Sequence, residues 1–267
     1  MAFYGSEFIF DGVPSSEYGL MIYSFGSEGQ EDVSFQNGEI IEDRIPGRYD
    51  ALTYGLVQNQ ALEYTLVFGA NMESIDAERH IDRYEVETIV AWLTGHNRRK
   101  WLTIVQDDME YYRYKCFISE LKLITDGSMP WAFSCKVTCD SPFAYSLPEE
   151  YVYTVANETN LFILFNRSKF SGYYRPNMVI TPQGGGTVSI VNQSDNNRTF
   201  QFTSLPGSEK EIYIDNKNQI ISGSTGLNLY PYFNMKFMRL VHGDNKLSIT
   251  GNATVKFICE FPVNIGG

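Results

Sequence analysis

The chain has 267 residues, 43% hydrophobic and 15% aromatic, which excludes a disordered protein, a collagen-like repeat and a small disulfide-stapled scaffold. The formal charge of −11 is unevenly spread: residues 1–145 hold 11 Lys+Arg against 23 Asp+Glu, and residues 146–267 hold 10 against 9. An acidic first half is a poor surface for gripping nucleic acid, because such binding relies on neutralising phosphates.

The amino terminus carries no basic stretch followed by an apolar one, and no run of about 18 apolar residues occurs. The expectation is a soluble protein made and kept in the cytoplasm, with no membrane insertion. Phe8 and Phe10 before Asp11-Gly12, then Leu20 and Ile22, predict a pair of strands around a turn. Residues 26–55 differ in character. They hold Glu28, Glu31, Asp32, Glu39, Glu42 and Asp43, with glycine breaks at Asn37-Gly38 and Pro46-Gly47, and predict a long hairpin or excursion. Such an arm has little core of its own and is most naturally ordered by a neighbouring subunit.

Leu62, Tyr64, Leu66 and Phe68 alternate as in a half-buried strand. Ile81, Tyr84, Ile89, Trp92 and Leu93 then recur at helical spacing between Asp76 and Gly95, which predicts a single helix. Arg98-Arg99-Lys100 follows it, and these cations complement the dipole of a helix C-terminus. Tyr112, Tyr114, Cys116 and Ile118 make another alternating run. The clearest is Trp131, Phe133, Cys135, Val137 and Cys139 against Ala132, Ser134, Lys136, Thr138 and Asp140. Three of the four cysteines (Cys116, Cys135, Cys139, Cys259) lie in such runs, favouring reduced, structural thiols over a disulfide.

Two prolines interrupt the pattern at Asp140–Pro148, where the charge balance also changes, and the domain boundary is placed there: 1–145 and 146–267. Short runs follow, among them Phe162/Leu164, Met178/Ile180, Val188/Ile190, Phe200/Phe202, Ile212/Ile214, Leu247/Ile249 and Val255/Phe257, separated by turn residues. They predict an all-β sandwich or jelly roll, with Gly184-Gly185-Gly186 as a hairpin turn.

No catalytic constellation stands out. The three histidines (His80, His96, His242) lack a second ligand at the spacing of a zinc helix, and there is neither a nucleophile elbow nor a phosphate loop. Asp107, Asp108 and Glu110 could serve as paired carboxylates of a cell-wall hydrolase, but a solvated turn explains them better. No metal or cofactor site is expected. The abundant tyrosines, including Tyr49, Tyr54, Tyr111, Tyr173 and Tyr174 in turn-rich or charged surroundings, suit an extensive protein interface.

The order of motifs carries a resemblance. Phe8-Ile9-Phe10-Asp11-Gly12 with Ser16–Leu20, Ile45-Pro46-Gly47-Arg48, the helix ending in Trp92-Leu93, Tyr111–Tyr114, Cys139–Ser146 and Leu240–Gly251 together resemble the distal tail proteins (Dit) of long-tailed, non-contractile bacteriophages. The resemblance implies a mainly β protein: an N-terminal α+β domain, an antiparallel sandwich or split barrel with one helix, followed by an all-β galectin-like jelly-roll sandwich. It implies a structural virion protein of the phage tail, assembled in the host cytoplasm, and no enzyme. Its N-terminal domain would form a homohexameric ring between tail tube protein and baseplate hub, with DNA passing through the lumen without specific binding. The outer domain would hold receptor-binding or adaptor proteins.

In that frame the candidate ring and lumen residues are Glu28, Glu31, Asp32, Glu39, Glu42, Asp43, Arg44 and Arg48. The candidate outer contacts are Tyr173, Tyr174 and Tyr230. The alternative is a carbohydrate-binding host-recognition protein acting through the second domain. Galectin sites stack sugar on a tryptophan, however, and the chain has none after Trp131, leaving Arg239 and His242 without that platform.

Overall fold

Alternating apolar residues need a face to bury, and in the first half of the chain they find it on one curled antiparallel sheet. The structure, a computed structural model, describes residues 3, 5–26, 39–57, 61–71, 80–127, 129–169 and 172–265. Strands β1 (Glu7–Phe10), β2 (Val13–Pro14), β3 (Leu20–Gly26), β4 (Glu39–Asp43), β5 (Leu52–Val57) and β6 (Glu63–Ala70) precede helix α1 (Arg83–Thr94). Strands β7 (Lys100–Val105), β8 (Tyr112–Asp126), β9 (Met129–Cys139) and β10 (Ala144–Ser146) follow it. The sheet order is β2-β1-β7-β8-β9-β6-β3. Its ends approach each other, because the Ile22 amide donates to the Ser6 carbonyl at 2.8 Å.

Phe8, Phe10, Leu66, Phe68, Tyr114 and Phe133 fill the concave side. Helix α1 closes it with Ile89 and Leu93, while the Trp92 ring stacks on Phe8 at 5.7 Å and its indole N–H donates to the Phe10 carbonyl at 3.2 Å. The helix starts at Arg83 because Asp82 caps it: the Asp82 carboxylate accepts from the Tyr84 and Glu85 amides, and the Glu85 side chain accepts from the Asp82 amide. Tyr84, expected on the apolar face, lies in this first turn and is 81% exposed. All four cysteines are free and buried, and burial pushes the thiols of Cys135, Cys139 and Cys259 up to about 12.

The second compact unit comprises residues 146–263, while residues 264–267 belong with 1–145. It contains β11 (Glu149–Asn166), β12 (Asn177–Pro182), β13 (Gly186–Asn192), β14 (Arg198–Leu205), β15 (Ile212–Asp215), β16 (Ile220–Gly223) and β17 (Gly243–Cys259). The order is β14-β13-β17-β12-β15-β16, and β11 runs along the other edge of β17 for its whole length.

Gly184-Gly185-Gly186 is not a hairpin turn. β12 and β13 lie end to end along the same edge of β17, on residues 253–258 and 247–250. The glycines form a corner, level with the bulge at Asn157 in β11 and with Gly251 in β17. Asn157, Gly184, Gly186 and Gly251 have φ of 57°, 102°, 130° and 131°. Three neighbouring strands therefore bend along one line and fold a single sheet into both layers of a sandwich. Ile190, Phe200, Phe202, Leu247 and Ile249 of one layer face Met178, Ile180, Ile212, Ile214 and Val255 of the other, and all ten are buried.

Candidate assembly surfaces

Among the described strands, β4 and β5 pair only with each other. The turn that begins their connection has Pro46 and Gly47 at its centre, with φ of 91° at Gly47 and an Arg48 amide donating to the Ile45 carbonyl at 3.1 Å. This is the proline–glycine arrangement of a type II turn. Between Ile41/Gly55 and Glu42/Thr53 the register shifts, so Tyr54 bulges out and its hydroxyl donates to Asp43 at 3.1 Å. Arg44 pairs with Glu42 at 3.6 Å and Arg48 with Asp50 at 3.1 Å.

Successive residues of a strand point to opposite faces, yet Ile40 is 61% and Ile41 45% exposed. Ile45, Tyr49 and Tyr54 are exposed too. The hairpin thus presents apolar side chains on both faces along with its acids. A lone two-stranded hairpin is marginal in water, and exposed apolar side chains gathered in one place are a feature of interaction surfaces. Of the residues expected here, Glu42, Asp43, Arg44 and Arg48 are brought together by the hairpin, and Glu39 opens β4. Glu28, Glu31 and Asp32 lie outside the described residues.

The three tyrosines expected as contacts of the second domain have different surroundings. Tyr173 is half exposed, and the Arg239 guanidinium covers it at 3.7 Å from the ring centre. Arg239 is held by a two-pronged bond to buried Asp195, at 2.7 and 3.0 Å. The Tyr174 hydroxyl accepts from the Glu260 amide at 2.7 Å, and its ring packs on Phe261. The Tyr230 hydroxyl accepts from the Ile221 amide and donates to the Gln219 carbonyl. Tyr230 thus ties its turn to β16, and Tyr174 is tied to the residue that follows β17.

Asp107, Asp108 and Glu110 sit in an exposed turn closed by hydrogen bonds from the Met109 amide to the Gln106 carbonyl and from the Tyr112 amide to the Met109 carbonyl. Among the described residues no cluster of three His, Cys, Asp or Glu side chains could hold a metal. No described helix is long and apolar enough to cross a membrane.

One surface was not anticipated. β11 has no partner on its outer edge among the described strands, and Leu161, Ile163 and Phe165 stand exposed on its outer face, opposite Phe162 and Leu164, which turn to the core. The signal was the unbroken run Leu161–Phe165, where a strand covered on one face alone would alternate.

The described residues thus form two mainly β units, the first carrying a hairpin with exposed apolar and acidic side chains and the second a folded sheet. The chain belongs to a phage tail protein family: residues 3–141 match the family described as a phage tail protein N-terminal domain, and residues 143–259 its C-terminal counterpart. In fold it is Dit-like. It superposes on the Dit protein of phage SPP1, a structure described as a paradigm of the hub adsorption apparatus in phages infecting Gram-positive bacteria, with a TM-score of 0.67 and 13% identity over 96% of this chain and 98% of that one. It is also similar to a chain of the phage P2 baseplate in its activated conformation with Ca, with a TM-score of 0.57 and 12% identity over 96% and 98%. With Sr the same comparison gives 0.53 and 13% over 90% of each chain. No curated protein matches the sequence.

Proposed function

We propose that the first unit, residues 1–145, closes with five further copies into a hexameric ring joining the tail tube to the baseplate hub. The second unit, from residue 146 onward, serves as a platform for receptor-binding or adaptor proteins. The observation that carries this is the β4–β5 hairpin, whose apolar side chains are uncovered on both faces in a single copy. A neighbouring copy is the natural cover, because a ring repeats one head-to-tail contact. The acidic balance of residues 1–145 supports a lumen wall to which passing DNA does not stick. The particle would be built in the host cytoplasm and retained in the virion.

Negative-stain imaging and sedimentation of the full chain test this. A six-fold ring with a central channel is the expected result. A species that stays monomeric up to about 100 µM, alone and with tube and hub proteins added, overturns it.

A further inference from the structure

β8 and β9 set two cysteines face to face, and that pair carries an inference independent of the ring. Cys116 and Cys139 are direct partners in the antiparallel register. Residues opposite each other across two such strands project to the same side, and here it is the core side, where both are buried. The Cys139 amide donates to the Leu62 carbonyl at 2.9 Å, towards β6, and the Asp140 amide donates to the Lys115 carbonyl at 2.9 Å. Cys116 and Cys139 therefore exchange no backbone hydrogen bonds with each other, which makes them the closer of the two kinds of antiparallel pair, with Cα atoms about 4.5 Å apart. A disulfide spans Cα separations of about 4.4–6.8 Å. Cys135 shares the orientation but lies about 13 Å along β9 from Cys139, opposite Leu66 of β6. Cys259 belongs to the second unit.

We propose that Cys116 and Cys139 form a cross-strand disulfide once the folded chain meets a peroxide outside a reducing cell, stapling β8 to β9 in the middle of the first unit's sheet. Inside a cell, glutathione and thioredoxin keep such thiols reduced, and a tail protein leaves that pool with the particle. A peroxide is the oxidant chosen because it is small enough to enter a closed core. One thiol sulfur attacks it, the O–O bond breaks, and a sulfenic acid and one water form. The second sulfur then attacks the first, the S–O bond breaks, and another water leaves with the remaining thiol proton. Two thiols and one hydrogen peroxide thus give one disulfide and two waters. Burial pushes the Cys139 thiol up to about 12 and raises that of Cys116 too, where the nearness of Cys139 adds to the effect. Thiolate is scarce, so the chain folds reduced and the link forms slowly.

The full-length chain, purified under reductant and then held in a small excess of hydrogen peroxide, tests this. Thiols counted after denaturation should fall from four to two, and non-reducing peptide mapping should find Cys116 joined to Cys139 within one chain. The melting temperature should rise by about 5–10 °C and return when reductant is added. Cys135→Ala should leave the link in place, while Cys116→Ala and Cys139→Ala should each abolish it. Wild-type mapping decides the matter even where a variant fails to fold. Four thiols surviving prolonged exposure, oxidation of either cysteine to a sulfinic acid without a link, or links spread over other pairs or between copies each overturns the proposal. So does a linked chain that melts no higher than the reduced one.

Discussion

Replacing Ile40 and Ile41 together by alanine separates a hairpin that holds subunits together from one that merely projects. Full burial of an isoleucine is worth about 1.5–3 kcal/mol. Ile40 and Ile41 are 61% and 45% exposed in one copy, so covering those fractions is worth about 1–2 and 0.7–1.4 kcal/mol respectively. Alanine keeps only the first methyl, so each subunit contact should lose about 1.5–2.5 kcal/mol, or about 10- to 70-fold in association. The monomer should hardly notice, since neither side chain is buried in it. Sedimentation velocity across a dilution series would read the concentration of half-dissociation, and thermal unfolding would read the monomer.

The same experiment weighs apolar burial against charge. Reversing Glu42 and Asp43 to lysine changes exposed charges, each worth up to about 1 kcal/mol and screened beyond about 8 Å at physiological salt. The alanine pair should therefore weaken the ring more than the lysine pair at 0.15 M salt, and only the lysine effect should fade as salt rises. Half-dissociation within twofold of the wild type for the alanine pair would refute the argument that the arm is covered by a neighbour. So would a fall of many degrees in monomer melting, because that would mean these residues belong to a core.

Three further outcomes test the second unit. Gly251→Ala puts a Cβ 2.6 Å from the Thr187 carbonyl oxygen at φ 131°, so the bend line should lose at least about 2 kcal/mol and the melting temperature about 8 °C, read by calorimetry. Arg239→Ala strands the buried Asp195 carboxylate and should cost about 3 kcal/mol in denaturant unfolding, with Asp195→Asn in the same chain recovering part of it. Glu209 is buried and held below the ordinary glutamate range, first by the Thr225 hydroxyl and then by the Thr225 amide and the Ser224 groups. A lowered folded pKa gives stability that is present above the unfolded value, about 4.3, and is lost as pH falls through the folded one. The melting temperature of the wild type should thus drop between pH 5 and 3, and Glu209→Gln should flatten that drop.

What the sequence discloses is whatever repeats locally. Phe133, Cys135, Val137 and Cys139 read as one buried face because each meets the same core two residues apart, and Gly95 ends the helix within the same local grammar. What it conceals is set by pairing. Asn157, Gly184–Gly186 and Gly251 are far apart in the chain and align into one bend only after β11, β12, β13 and β17 have found their register. A glycine triplet between two strand-like runs then looks like a hairpin turn, although its strands do not pair with each other. The outer edge of β11 is hidden for the same reason, since an edge strand differs from a central one by a missing neighbour and not by its own residues. The exposed face of the same strand does leave a local trace, Leu161–Phe165, where apolar side chains occupy both faces. A strand needs that only when both faces are covered, and a single copy covers just one.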